Sequence, residues 1–166
     1  MTVYARLDGP LGSMLVVGEE TPDGSAALAS LSLPGQKGAV AVGDGWRHAP
    51  GAFARVAEQL DGYFAGRLRA FDLPLAQGAG TPFQRRVWQA LEEIPYGATA
   101  TYGEIAARVG VSGAGVRAVG TAIGRNPLLV VRPCHRVIGA DGTLRGYAAG
   151  PERKELLLGL EGALVR

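Results

Sequence analysis

Cysteine is nearly absent. Cys134 stands alone in 166 residues. That excludes an intrachain disulfide, a secreted disulfide scaffold and any zinc site built on several thiolates. Histidine is almost as scarce, with His48 and His135 only. The N-terminal half therefore holds one imidazole and no thiol, and no metal site is expected. No apolar run approaches the ~18 residues of a membrane span, so no membrane partner is expected. The first ten residues meet a charge and a Gly-Pro break too early for a secretory signal. Apolar residues make up 47% of the chain against 19% charged, too many for a disordered chain. The expectation is a cytoplasmic protein of one ordinary domain or two small ones. Its lone thiol is then either an inert core residue or the centre of its chemistry.

Acidic residues are missing from one long stretch. The formal net charge is only +2, but residues 1–80 carry six basic and eight acidic side chains, and residues 81–166 carry eleven and seven. Between Glu104 and Asp141 there is no acid, yet Arg108, Arg117, Arg125, Arg132 and Arg136 all lie there. Such a run is either a solvated basic face or a surface for a polyanion, where clustered arginines release phosphate counterions.

The N-terminal half reads as β-rich with one helix. Residues 3–7, 13–17 and 27–33 are candidate strands, the first two joined by the turn Asp8-Gly9-Pro10-Leu11-Gly12. Residues 34–51 are rich in Gly and Pro and read as a loop carrying an exposed His48. Phe53, Val56, Leu60 and Phe64 follow at helical spacing, with Pro50 in the first turn and Gly66 as the stop. Phe71, Leu73 and Leu75 alternate as a strand should. Gln77-Gly78-Ala79-Gly80 reads as a linker, giving a scaffold domain over residues 1–77 and a second domain over residues 78–166.

The second half reads as short capped helices. Thr81-Pro82-Phe83-Gln84 and Thr101-Tyr102-Gly103-Glu104 are capping boxes. Phe83, Val87, Leu91 and Ile94 form the first buried stripe. Gly110 ends the second helix, and Ser112 caps a third running to about Arg125. Two short helices around a Gly-containing turn make a helix-turn-helix pattern. The third helix carries Gly115, Gly120 and Gly124, and interior glycine costs ~1 kcal/mol each relative to alanine. It needs close approach either to another helix or to a nucleic acid backbone, with Arg117 as its one long side chain.

The run Arg132-Pro133-Cys134-His135-Arg136-Val137 carries the strongest chemical signal. The thiolate is the nucleophile, so a reactive cysteine needs a base or a positive field, and His135, Arg132 and Arg136 are candidates. This run resembles the active-site signature of the O6-alkylguanine-DNA alkyltransferases. Phe83-Gln84 with Val87-Trp88, Ile94-Pro95-Tyr96-Gly97, Thr101-Tyr102-Gly103-Glu104-Ile105-Ala106, Arg117-Ala118-Val119-Gly120, Asn126-Pro127, Gly146-Tyr147 and Leu160-Glu161-Gly162 follow the family's order. The resemblance covers about residues 81–162.

That resemblance implies an α/β (α+β) fold. A small RNase H-like N-terminal domain would precede a mostly helical C-terminal domain with a winged helix-turn-helix. The implied activity is suicide repair of double-stranded DNA by a protein monomeric in solution, which reads the minor groove, flips the lesion out and uses no cofactor or metal. Cys134 would accept the alkyl group. His135 would act as base through a water, with Glu161 orienting its imidazole. Tyr102 would donate a proton toward the guanine and crowd the 3′ phosphate. Arg117 would fill the gap in the base stack, with Ala118 and Gly120 on the same DNA-facing helix. Asn126 would brace the active-site turn, and Val137 would contribute backbone recognition. Tyr147, Ala148 and Ala149 would wall the pocket. Two positions depart from the pattern. Arg132 stands where many relatives carry an aliphatic residue, and it can face Cys134, DNA phosphate or a surface acid. Ala148-Ala149 replaces a stretch that commonly contains glycine or serine. The alternative to an enzyme is the alkyltransferase-like lesion-binding protein, which lacks the cysteine.

Overall fold

In the computed structural model, residues 1–144 and 146–163 are described, and the chain divides into two compact units, Met1–Ala79 and Gly80–Arg166. The first unit is built on a four-stranded sheet. Strand β1 (Thr2–Gly9) turns through Pro10 and Leu11 into the antiparallel β2 (Gly12–Glu20). Strand β3 (Ala26–Ser32) pairs antiparallel with β2, and the two-residue β4 (Arg47–His48) adds in parallel beside β1, giving the order β3-β2-β1-β4. Residues 14–18 of central β2 are buried without a break, as a strand covered on both faces requires. Pro50 opens a short 3-10 turn (Pro50–Phe53), which runs into helix α1 (Ala54–Phe64). Val56, Leu60 and Tyr63 are the buried positions of α1.

Two expectations for this half need correction. Residues 71–75 form no strand and touch the sheet at one point, the bridge between Leu75 and Leu28. The Leu28 amide donates to the Pro74 carbonyl (2.8 Å), and the Ala76 amide donates to the Leu28 carbonyl (2.9 Å). Pro74 has no N–H to extend the ladder. The alternation of Phe71, Leu73 and Leu75 marks their half-buried side alone. His48 is exposed as expected but lies on β4, its ring tilted against Tyr4 at 5.2 Å between ring centroids.

Among its described residues the second unit holds four α-helices: α2 (Pro82–Glu92), α3 (Tyr102–Arg108), α4 (Gly115–Gly124) and α5 (Pro151–Leu160). Both capping boxes form. Thr81 accepts from the Gln84 amide, and Thr101 accepts from the Glu104 amide, each at 3.1 Å. Ser112 does not cap α4. Its N-cap is Ala114 with no side-chain bond, and Ser112 supplies only its carbonyl, to the Gly115 amide at 3.1 Å. Helices α2, α3 and α4 pack on one another through Val87, Leu91, Ile105, Val119 and Ile123. Phe83, expected in the α2 stripe, is only half-buried, while Trp88 is buried and donates its indole N–H to the Ala122 carbonyl at 2.9 Å. Among the described residues no helix is long and apolar enough to cross a membrane.

Candidate active site

Pro133 leads into a single 3-10 turn, Cys134–Arg136, which continues into strand β6 (Val137–Ile138). Strand β6 pairs in parallel with β5 (Ala100–Thr101), and Thr101 is the N-cap of α3. The thiol-bearing turn is thereby fastened to the first helix of the helix-turn-helix. Val137 is fully buried and spends its strand on this pairing.

Behind the turn lies a buried chain of polar groups. His135 Nε2 and Glu161 Oε2 are 2.8 Å apart, and both side chains are fully buried. A carboxylate only accepts, so Nε2 carries the proton and the other nitrogen, Nδ1, presents its lone pair. Nδ1 is buried and has no protein partner among the described residues. Burial pushes the imidazole below its ordinary range, against the pull of Glu161, and keeps it a neutral base at pH 7. Arg136 holds Glu161 from the far side, Nε to Oε1 at 2.8 Å and Nη2 to Oε2 at 3.0 Å. Its Nη1 donates to the Ile94 carbonyl at 2.6 Å. Cys134 is 5% exposed. Burial pushes its thiol up to about 11, while the Asn126 hydrogen bond and the charges of Lys154 and Arg132 pull the other way.

Asn126 is buried at the head of the turn. Its Nδ2 donates to the Arg132 carbonyl at 3.0 Å, and its Oδ1 accepts from the Leu128 amide at 3.0 Å. Tyr147 is buried, edge-on to His135 at 6.4 Å. Ala148 and Ala149 are half-buried in the turn that leads to α5. Tyr102, the first residue of α3, lies between Gly120 and Gly146. A methyl added at Gly120 would just touch its ring, and one at Gly146 would overlap its hydroxyl. Arg117 and Ala118 lie exposed on α4. Gly124 has nothing within 4 Å of where a Cβ would sit, and Gly120 only the Tyr102 ring at 4.0 Å. Neither position is too tight for a methyl group, and Gly124 leaves the exposed face of α4 bare.

The acid-free arginine run is less of a surface than its count suggests. Arg136 is buried on Glu161, Arg132 pairs with Glu92 at 2.9 Å, and Arg108 lies 3.7 Å from Glu93. All three acids lie outside the run and return to it through the fold. Arg117 and Arg125 remain exposed and make no ion pair among the described residues. Sequence reasoning missed Lys154, which is 1% exposed on α5. Burial pushes its ammonium down to about 8, and its charge interacts with Cys134. The available signal was its spacing: Leu157 and Leu158, three and four residues on, are fully buried, so a lysine occupies the apolar stripe.

A buried thiol backed by an imidazole and a carboxylate, and tied to a helix-turn-helix, defines a protein built for thiol nucleophilic chemistry. The family model for the 6-O-methylguanine DNA methyltransferase DNA binding domain matches residues 82–163, and that for the family's ribonuclease-like domain matches residues 2–77. The chain belongs to the 6-O-methylguanine DNA methyltransferase family. It is 47% identical to a methylated-DNA--protein-cysteine methyltransferase of Methanosarcina acetivorans over 96% of this chain and 98% of the relative. It is also 47% identical to the one of Mycolicibacterium paratuberculosis, over 97% and 93%. The solved structure of Mycobacterium tuberculosis OGT in complex with DNA is similar at a TM-score of 0.86 and 45% identity, covering 97% and 93% of the two chains.

Proposed function

We propose that this protein repairs O6-alkylated guanine in double-stranded DNA by moving the alkyl group irreversibly onto Cys134. The observation that carries the reading is the orientation of His135. Its Nε2 is committed to Glu161, so its free lone pair lies at Nδ1, on the residue that directly follows the chain's only cysteine in the same 3-10 turn. The bare outer face of α4 enters the minor groove, ~6 Å wide, and the lesion is flipped out because O6 cannot be reached inside the stack. A water carries the thiol proton to Nδ1. Sulfur attacks the alkyl carbon, the C–S bond forms as the C–O bond breaks, and the electron pair passes to guanine, which takes a proton from Tyr102. The thioether product has no easy hydrolysis, so each molecule acts once and needs no cofactor. Asn126 braces the turn, and Tyr147 with residues 148–149 walls the pocket.

The test is the mass of the protein after mixing with an oligonucleotide containing O6-methylguanine. One methyl group gained at Cys134, in a stoichiometric burst, supports transfer. No gain with tight lesion binding retained points to a binding-only protein instead. The Cys134→Ser variant should gain nothing and still bind. Arg117→Ala should slow repair in duplex DNA far more than reaction with free O6-methylguanine, measured as two single-turnover rates; equal slowing removes Arg117 from base flipping. Gly146→Ala should slow transfer by about 10²-fold. The backbone there has φ +85°, and the new methyl group displaces the Tyr102 hydroxyl. An unchanged rate would detach Tyr102 from the reaction.

A further inference from the structure

We propose that Arg132 is a positioning residue for the transfer reaction: clamped between Trp88 and Glu92, it fixes Asn126 and, through Asn126, the sulfur of Cys134. The proposal rests on the alkyl-transfer reading above.

The side chain of Arg132 is 13% exposed. Its Nε donates to Glu92 Oε2 at 2.9 Å, and its Cζ lies 5.0 Å above the Trp88 ring. Trp88 is itself fixed by its bond to the Ala122 carbonyl, near the C-terminal end of α4. Stacking and a carboxylate bond together hold the guanidinium plane. Held there, its Nη1 reaches Asn126 Oδ1 at 3.5 Å. The guanidinium is thus engaged inside the protein rather than presented to phosphate.

The backbone of Arg132 joins the same network. Its amide donates to the Leu128 carbonyl at 2.9 Å. Its carbonyl accepts from Asn126 Nδ2 at 3.0 Å and from the Cys134 amide at 2.8 Å. Within this loop Val130 has φ +70°, the only non-glycine residue of positive φ among the described residues. A β-branched residue in that region is strained and persists only where its surroundings over-determine it. Arg132 supplies part of that constraint. Drawing electron density from Asn126 Oδ1 also makes the amide N–H groups better donors. The charged groups that act on Cys134 are then Arg132 from this loop and Lys154 from α5.

The experiment measures alkylation of Cys134 by iodoacetamide from pH 6 to 11, methyl transfer from an O6-methylguanine oligonucleotide, DNA affinity and thermal stability. Arg132→Leu should shift the iodoacetamide pH profile upward and slow both reactions about five- to tenfold at pH 7.5, the scale of one ordinary intramolecular hydrogen bond. DNA affinity should hold. Arg132→Lys restores the charge without the stacked fork and should recover the profile only in part. Glu92→Gln, which leaves Arg132 in place and loosens its anchor, should shift the profile the same way and keeps the test available if Arg132→Leu does not fold. An unchanged profile with lowered thermal stability makes Arg132 a structural residue and overturns the proposal. Weaker DNA binding with unchanged thiol reactivity makes it a phosphate contact and also overturns it. Iodoacetamide needs no lesion, so a wild-type protein that fails to take methyl from DNA would sink the transfer reading while this profile still decides the role of Arg132.

Discussion

Replacing His135 with glutamine should slow methyl transfer by about 10²- to 10⁴-fold at pH 7, the usual worth of a positioned general base, and the deficit should shrink as the pH rises. Burial holds the Cys134 thiol at about 11. At pH 7, four units lower, only about one molecule in 10⁴ carries a spontaneous thiolate. The wild-type protein avoids this limit because His135 is neutral at pH 7 and takes the proton during the reaction. Its imidazole lies below the ordinary histidine range, so its rate should stay flat from pH 7 to 9. The variant depends on direct ionisation. Its rate should climb nearly tenfold per pH unit between pH 7 and 8. Above pH 8 the climb should weaken, because Lys154, held near 8 by burial, loses the charge that favours the thiolate. Glutamine can still donate to Glu161, so the change removes the base without orphaning the carboxylate. Single-turnover transfer rates on an O6-methylguanine duplex across this range decide the matter. A deficit that stays constant with pH would mean that His135 shapes the site without moving the proton.

Local signals in the sequence translated directly into structure. Thr81 with Gln84 and Thr101 with Glu104 cap their helices as their three-residue spacing demands, because a capping box is complete within one turn. Gly66 and Gly110 adopt φ +78° and +81° just past their helices, where only glycine is unstrained. One expectation failed for want of a partner distant in sequence, and one failed locally. Phe71, Leu73 and Leu75 have the period of a strand, but strand pairing is a property of two segments, and Leu28 offered a single bridge. Ser112 is a good cap by type, yet the chain starts α4 three residues later, after Gly113 at φ +58°.

The candidate site divides along the same line. Cys134, His135 and Asn126 are adjacent or nearly so in sequence, and their company marked them. The acids that give the arginines meaning are remote. Glu92 lies 40 residues from Arg132, and Glu161 lies 25 from Arg136. No count of charge along the chain shows that three arginines in an acid-free run are paired by the fold. The glycines of α4 went the other way. Composition left two readings open, and the position of the missing Cβ excludes close packing at Gly124, while Gly120 borders the Tyr102 ring.

Arg136 should be the most costly charge to remove. Arg136→Met should destabilise the C-terminal unit by about 3–5 kcal/mol, the usual result of stripping one partner from a buried ion pair. Glu161 is 5% exposed, and its negative charge would lose the guanidinium that bonds both of its oxygens. The same change should slow transfer for a separate reason. An uncompensated carboxylate 2.8 Å from Nε2 draws a proton onto the imidazole and consumes the lone pair that the reaction needs. The double variant Arg136→Met with Glu161→Gln separates the two effects. Glutamine keeps a carbonyl oxygen to accept from Nε2 and carries no charge, so most of the stability should return, as replacing both members of a buried pair permits. Transfer should remain at least about tenfold slow, because the carboxylate that raises the basicity of His135 is gone. Urea unfolding of the three proteins and their single-turnover rates give both readouts. If the double variant unfolds as readily as Arg136→Met, the pair does not act through charge compensation. If it regains full rate along with stability, Glu161 serves the fold and not the proton transfer.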